Sequence, residues 1–177
     1  MLITIRHGQT NYNKIGLYSG VSDIPTLTNE AKKEAYEKGK ILKKYNIDIA
    51  YISPLMRAKE TFEEINKSLN ISAIEDRNLV ERDFKNYEAK EYSPFNYSIC
   101  WNIEESKNVD IESIDSMVLR IEKVLNRIKK AYPNKNVLIV GHSGVCRVIR
   151  YILEGKKEKD LKVYKMENLH IDIYENW

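Results

Sequence analysis

Short apolar runs rich in β-branched residues alternate with helical stretches along this chain, and that alternation admits few folds. Leu2 to Ile5, Ile47 to Ile52, Ile71 to Glu75, Val137 to Val140 and Leu169 to Tyr174 read as strands, with Val137 to Val140 the clearest buried one. Thr28 can cap a helix running to about Tyr45, with Ala31, Ala35, Leu42 and Tyr45 on one face. Ser53-Pro54 offers a cap residue and a proline at the first helical position, and Leu55, Ala58, Phe62, Ile65 and Leu69 follow at helical spacing. Another helix spans about Ser113 to Ala131, its apolar stripe formed by Ile114, Val118, Ile121, Leu125 and Ile128, and Tyr132-Pro133-Asn134 ends it. The turn Gly141-His142-Ser143-Gly144 leads into an apolar helix from about Val145 to Leu153. The pattern predicts an α/β chain: a three-layer α/β/α sandwich with a mostly parallel central sheet and one antiparallel edge strand. Residues 76 to 112 are less regular and carry Phe84, Phe95, Trp101 and several tyrosines.

The length of 177 residues fits one domain, 1–177, with a real core. Hydrophobic residues at 42% and charged residues at 31% exclude a disordered chain. A net charge of +3, without a run of like charge, suits anionic small molecules but not a nucleic-acid stripe. Cys100 and Cys146 form no C-x-x-C pair, Cys146 reads as core, and a reducing cytosol suits such sparse cysteine. The start MLITIRHG lacks the charged leader and long apolar run of a signal peptide, and no apolar stretch reaches membrane-spanning length.

In sheets of this kind, ligands bind beyond the carboxyl ends of the strands. The first strand ends at Arg6, His7 and Gly8; the second delivers Ser53 and, one turn later, Arg57; the fourth delivers His142, Ser143 and Gly144. Two arginines can grip phosphate oxygens through planar N–H forks, and helix N-termini near Pro54 and Val145 can aim backbone N–H groups at the same anion. Glycines at positions 8, 141 and 144 let backbone approach closely. A neutral imidazole in such a pocket can attack phosphorus while the cations stabilise the transition state. His170, in the edge strand, reads as non-functional.

The same residues carry a family resemblance. RHGQTNYN, Arg6 to Asn13, resembles the R-H-G-E-T-x-x-N signature of the histidine phosphatase superfamily, also called phosphoglycerate-mutase-like. SPLMRAKET from Ser53, GHSGVCRVI from Gly141 and LYSGVSDIPTLT from Leu17 resemble its further motifs, in family order over most of the chain. The resemblance implies that His7 is the nucleophile that becomes phosphohistidine. It implies that Arg6, Arg57 and His142 form the phosphate pocket, with Asn13 and the Ser143 backbone N–H as further donors. Ser19 and Gly20 would line the substrate side. NLVERDFKNYEAK resembles the family's acid loop, which implies Glu81 as proton donor, with Asp83 and Glu88 as its nearest rivals. Lys85 and Ala89 stand where the family usually has glycine, so the resemblance leaves room for a different loop path, or for Lys85 pointing at the substrate.

A mutase must retain a phosphorylated substrate and exclude water, whereas a phosphatase admits water. Glu91 to Asp110 is short and has Lys107 as its only basic residue, which favours hydrolysis of a small phosphorylated metabolite, of broad-specificity or α-ribazole-phosphate type. Phosphoglycerate mutase-type transfer and a non-catalytic phosphate-binding module are the alternatives. Tyr92, Phe95, Tyr97 and Trp101 read equally well as a lid over an organic leaving group or as packing. The mechanism implied needs neither cofactor nor metal, and the chain is expected to act as a monomer or homodimer.

Overall fold

A computed structural model describes residues 1–92 and 94–177, and side chains outside 93–97. In chain order the elements are β1 (Leu2–Arg6), α1 (Asn11–Lys14), α2 (Asn29–Leu42), β2 (Ile49–Ile52), α3 (Met56–Leu69) and β3 (Ser72–Glu75). They continue with α4 (Pro94–Trp101), α5 (Ile114–Ala131), β4 (Val137–Gly141), α6 (Ser143–Leu153) and β5 (Ile171–Tyr174), with short 3₁₀ turns between. The sheet order is β3-β2-β4-β1-β5; β1 and β2 both run parallel to β4, β3 runs parallel to β2, and β5 pairs antiparallel with β1. This is the mostly parallel sheet with one antiparallel edge that the sequence pattern predicts.

Period-two alternation sorts the strand side chains onto two faces. Ile3, Ile5, Leu138 and Val140 pack with Ala35, Leu42, Ala58, Phe62 and Ile65 of α2 and α3. Leu2, Val137 and Ile139 pack on the other side with Ile121, Leu125 and Ile128 of α5 and Val145, Val148 and Ile149 of α6. All five residues of β4 are buried, as a central parallel strand covered on both faces requires. Helices α2 and α3 approach so closely that a Cβ at Gly39 would lie 2.5 Å from the Ile65 carbonyl oxygen, so any side chain there separates them.

Several element starts differ from the sequence expectation by one or two residues, β2 beginning at Ile49 and β3 at Ser72. Helix α3 begins at Met56 and not at Pro54, because the Ser53 hydroxyl is engaged elsewhere: it accepts from Leu55 N–H at 3.3 Å and sits 2.7 Å from His142 Nε2. Helix α6 begins at Ser143, with His142 as its extended N-cap residue, so Ser143 and Gly144 belong to the first turn. Strand β5 begins at Ile171, because Leu169 is left-handed at φ 57° and its N–H turns back to the carbonyls of Arg6 and His7. The irregular stretch 76 to 112 holds α4, which periodicity did not reveal.

Candidate active site

Strand register brings the chemistry together. Arg6 pairs with Gly141, so the residues that follow, His7 and His142, leave adjacent parallel strands side by side. Their ring centroids lie 5.2 Å apart. Val140 also pairs with Ile52, and Ser53 N–H donates to the Val140 carbonyl, which puts the Ser53 hydroxyl against the His142 ring. Both histidines are buried.

His7 Nδ1 lies 2.7 Å from the Gly8 carbonyl oxygen. A carbonyl can only accept, so Nδ1 carries the hydrogen and the Nε2 lone pair is left for a reacting atom. Burial pushes the His7 pKa well below 6.5, and the Arg57 and Arg6 guanidiniums push it further, so the ring is neutral at pH 7. His142 is lowered in the same direction, by burial first and then by Arg57, His7 and Arg6. Its Nδ1 is buried without a hydrogen-bond partner among the described residues.

The cationic side is built from two turns. Arg57, in the first turn of α3, is buried and donates Nη1 to Ser22 O at 2.8 Å and Nη2 to Gly20 O at 2.7 Å. Burial lowers its pKa to about 10, which leaves it charged at neutral pH. Thr61, one turn on, accepts from Gly8 N–H at 3.0 Å and donates to Arg57 O at 2.7 Å, linking the arginine's helix to the loop of the nucleophile. Arg6 donates Nη1 to Met166 O at 2.5 Å. Asn13 closes a capping box with Thr10 around α1.

Glu81 reaches the site by a long route. Arg120 of α5 donates to the carbonyls of Asn78, Val80 and Glu81 and pairs with Glu112, which fixes the backbone of 78–81. The Glu81 carboxylate accepts from Gly144 N–H at 3.1 and 3.0 Å and from Arg82 N–H at 2.8 Å, at the N-terminus of α6. A Cβ at Gly144 would collide with Glu81 Oε1 and with the Trp101 ring, so glycine is what lets acid and helix meet. The rivals point elsewhere: Asp83 accepts from Lys85 N–H and Glu88 from Val21 N–H.

These groups line a cavity of about 440 Å³. Its polar lining is Arg6, His7, Asn13, Arg57, Glu81 and Ser143. Its aromatic lining is Tyr18, Phe84, Tyr92 and Trp101, and Ser19, Gly20 and Asn168 also contribute. His142 lies behind this surface, fully buried. Trp101 is 2% exposed, with the guanidinium carbons of Arg82 and Arg147 5.2 and 4.8 Å from its ring centroid, so it is a packed wall and not a moving lid. Tyr92, 41% exposed, stands edge-on to Tyr18 at the mouth. The side chains of Phe95 and Tyr97 lie outside the described ones.

Lys85 is a correction. It does not line the cavity; its ammonium pairs with Asp110 at 2.5 Å on the exposed surface. Lys85 and Ala89 are left-handed, at φ 46° and 59°, so the loop keeps a glycine-like path despite the changed residues. Tyr18, Phe84 and Asn168 were not singled out from the sequence. Tyr18 lies within the Leu17–Thr28 motif and Phe84 within the acid loop, whereas Asn168 had no local signal, since its partners are more than 150 residues away. Among the described residues no group of three or more His, Cys, Asp or Glu is arranged to hold a metal, and no helix is long and apolar enough to cross a membrane.

Comparison with known proteins shows the family. The family model described as histidine phosphatase superfamily (branch 1) matches residues 2–176. The uncharacterized phosphatase PhoE of Bacillus subtilis is 32% identical over 151 residues, covering 85% of this chain and 76% of that one. A 2,3-bisphosphoglycerate-dependent phosphoglycerate mutase of Cytophaga hutchinsonii is 30% identical over 187 residues, covering 98% and 83%. The structure of Bacillus stearothermophilus YhfR superposes with a TM-score of 0.84 at 23% identity, covering 95% of this chain and 86% of that one. With a matching family model over nearly its whole length and the histidines, arginines and acid gathered at one sheet edge, this chain is an enzyme of the histidine phosphatase superfamily.

Proposed function

We propose that the chain hydrolyses phosphomonoesters through a phosphohistidine on His7. The observation that carries this is the fixed, neutral His7 ring, its Nδ1 held by the Gly8 carbonyl and its Nε2 left for a reacting atom in the cavity it shares with the Arg6 and Arg57 guanidiniums. Nε2 attacks phosphorus as the bond from phosphorus to the ester oxygen breaks, and Glu81 gives its proton to the departing oxygen. Water then attacks the phosphoryl group, Glu81 takes back a proton, the N–P bond breaks, and inorganic phosphate leaves. Arg6, Arg57, Asn13 and the Ser143 N–H supply donors where charge builds on the equatorial oxygens, with His142 beside the attacking ring.

Hydrolysis is favoured over mutase transfer by charge. Among the described residues the cations lining the cavity are Arg6 and Arg57, and the sequence of 93–97, Ser-Pro-Phe-Asn-Tyr, holds no lysine or arginine. Both guanidiniums are needed by the phosphate, so a glycerate or serine carboxylate meets Tyr18, Phe84, Tyr92 and Trp101 instead of a cation. The substrates this supports are small phosphate esters of uncharged organic alcohols, of broad-specificity or α-ribazole-phosphate type. The same reading takes 1–177 as one domain with 76–112 as its substrate segment, acting as a monomer or homodimer without nucleic acid. Two buried, unpaired cysteines fit a reducing cytosol.

The test is phosphate release from a panel of aryl, alkyl and carboxylate-bearing phosphomonoesters, comparing the native chain with His7→Ala. Release that disappears in the variant, and is faster for aryl and alkyl esters than for phosphoserine or phosphoglycerate, is expected. Absence of release from every ester, with phosphoryl exchange between glycerate positions, would replace this reading by the mutase one.

A further inference from the structure

Asn13 is expected to touch phosphate, yet an amide presents an oxygen at one end and donors at the other, and only the donor end helps an anion. What decides which end faces the cavity lies partly outside the motif. Thr10 N–H, which can only donate, sits 3.1 Å from Asn13 Oδ1. Asn168 donates Nδ2 to that same Oδ1 at 3.2 Å. The orientation of Asn168 is itself fixed, because its Nδ2 also donates to the His7 carbonyl, a group that can only accept, at 3.1 Å. Asn168 lines the cavity beside both residues. It sits on the 166–170 segment, which is tied to β1 by Arg6 N–H donating to His170 O and Leu169 N–H donating to Arg6 O.

We infer that Asn168 is a positioning residue: it holds the Asn13 oxygen away from the substrate, so that the Asn13 amide donates to phosphate, and it steadies the backbone of the nucleophile. Thr10 N–H holds Asn13 Oδ1 by a single hydrogen bond, which rotation of the amide about its last side-chain bond breaks. The second donor turns a preference into a fixed orientation. The inference rests on the phosphate-pocket reading of Asn13.

The experiment is a double-mutant cycle on Asn13→Ala, Asn168→Ala and the double variant, with Asn168→Leu as a shape-keeping control that also lacks donors. Two quantities are measured: the dissociation constant for inorganic phosphate by calorimetry, and kcat and KM for an aryl phosphate. Thermal melts check folding. Each single alanine variant is expected to weaken phosphate binding about tenfold, roughly the loss of one charge-assisted hydrogen bond. The double variant is expected to be no weaker than Asn13→Ala alone, and Asn168→Leu to match Asn168→Ala. A merely structural role would lower stability and make the two losses multiply, and that result overturns the inference, as does an Asn168→Leu protein that binds phosphate normally. A native protein that binds phosphate without turning over any ester defeats the hydrolase reading alone, and the cycle is then decided on the binding constants. A native protein that binds no phosphate defeats both.

Discussion

At the sheet edge, three parallel strands end within a few residues of one another and hand His7, Ser53, Arg57 and His142 to a single spot. On the aromatic side, Tyr18, Phe84, Tyr92 and Trp101 come from loops and from α4, held by packing between rings and guanidiniums. The first side is polar, buried and fixed by backbone partners; the second is aromatic and opens toward solvent at Tyr92. A sheet edge gives reproducible placement because every strand is tied by a ladder of hydrogen bonds, which suits chemistry that tolerates little misalignment. Loops bear the part of a site that varies with the substrate. The difference teaches that bond breaking and substrate choice are carried by separable parts of this molecule.

Removing a cation from the sheet-edge side tests that separation most severely. Arg57→Ala is expected to lower kcat/KM by roughly 10²–10³ for every ester alike, measured by phosphate release, since one preorganised donor on developing charge has that value. An effect confined to some esters would blur the two sides. Acid comes next. The folded pKa values of His7 and His142 lie well below 6.5, so as the pH falls through 6.5 the unfolded chain takes up protons that the folded chain refuses. Stability is therefore fully present above about pH 7 and declines as the pH drops toward about 5, with a shallower decline for His7→Asn, read from urea midpoints.

Ser53→Ala leaves His142 Nε2 without its 2.7 Å partner and Leu55 N–H without its acceptor; about a tenfold loss of kcat is expected, again for all esters. On the aromatic side, Tyr92→Ala is expected to raise KM for an aryl phosphate by roughly 3–10-fold while leaving inorganic phosphate affinity unchanged. A shift in phosphate affinity would show that the wall and the pocket are coupled. The smallest effect lies in the acid loop: Ala89 is left-handed, and Ala89→Gly should raise stability by roughly 0.5–1 kcal/mol in denaturant titration with activity unchanged.

Much of the sheet-edge side was legible in the sequence because its cues are local. A β-branched run, a helix cap and a histidine beside glycine are all read within a few residues, and strand register does the remaining alignment. The placement of Glu81 needed the family resemblance, since no local periodicity marks it; what holds it there is Arg120, 39 residues away, together with Gly144, 63 residues away. Ser53 was read as a helix cap because a hydroxyl before proline usually is one; the neighbouring His142 ring, 89 residues away in sequence, competes for that hydroxyl. Lys85 was given a possible path to the substrate, but its ammonium found the carboxylate of Asp110 at the surface.

The sequence by itself determined the order of the strands and of helices α2, α3, α5 and α6, the α/β class and the identity of the two histidines and two arginines, because burial periodicity and motif spacing are written residue by residue. The tertiary structure alone decided which nitrogen of His7 is free, which end of the Asn13 amide faces the cavity, and which aromatic rings are wall. Those are questions of side-chain direction, and direction is set by partners such as Gly8 O, Asn168 and Arg147 whose nearness exists only after the chain has closed on itself.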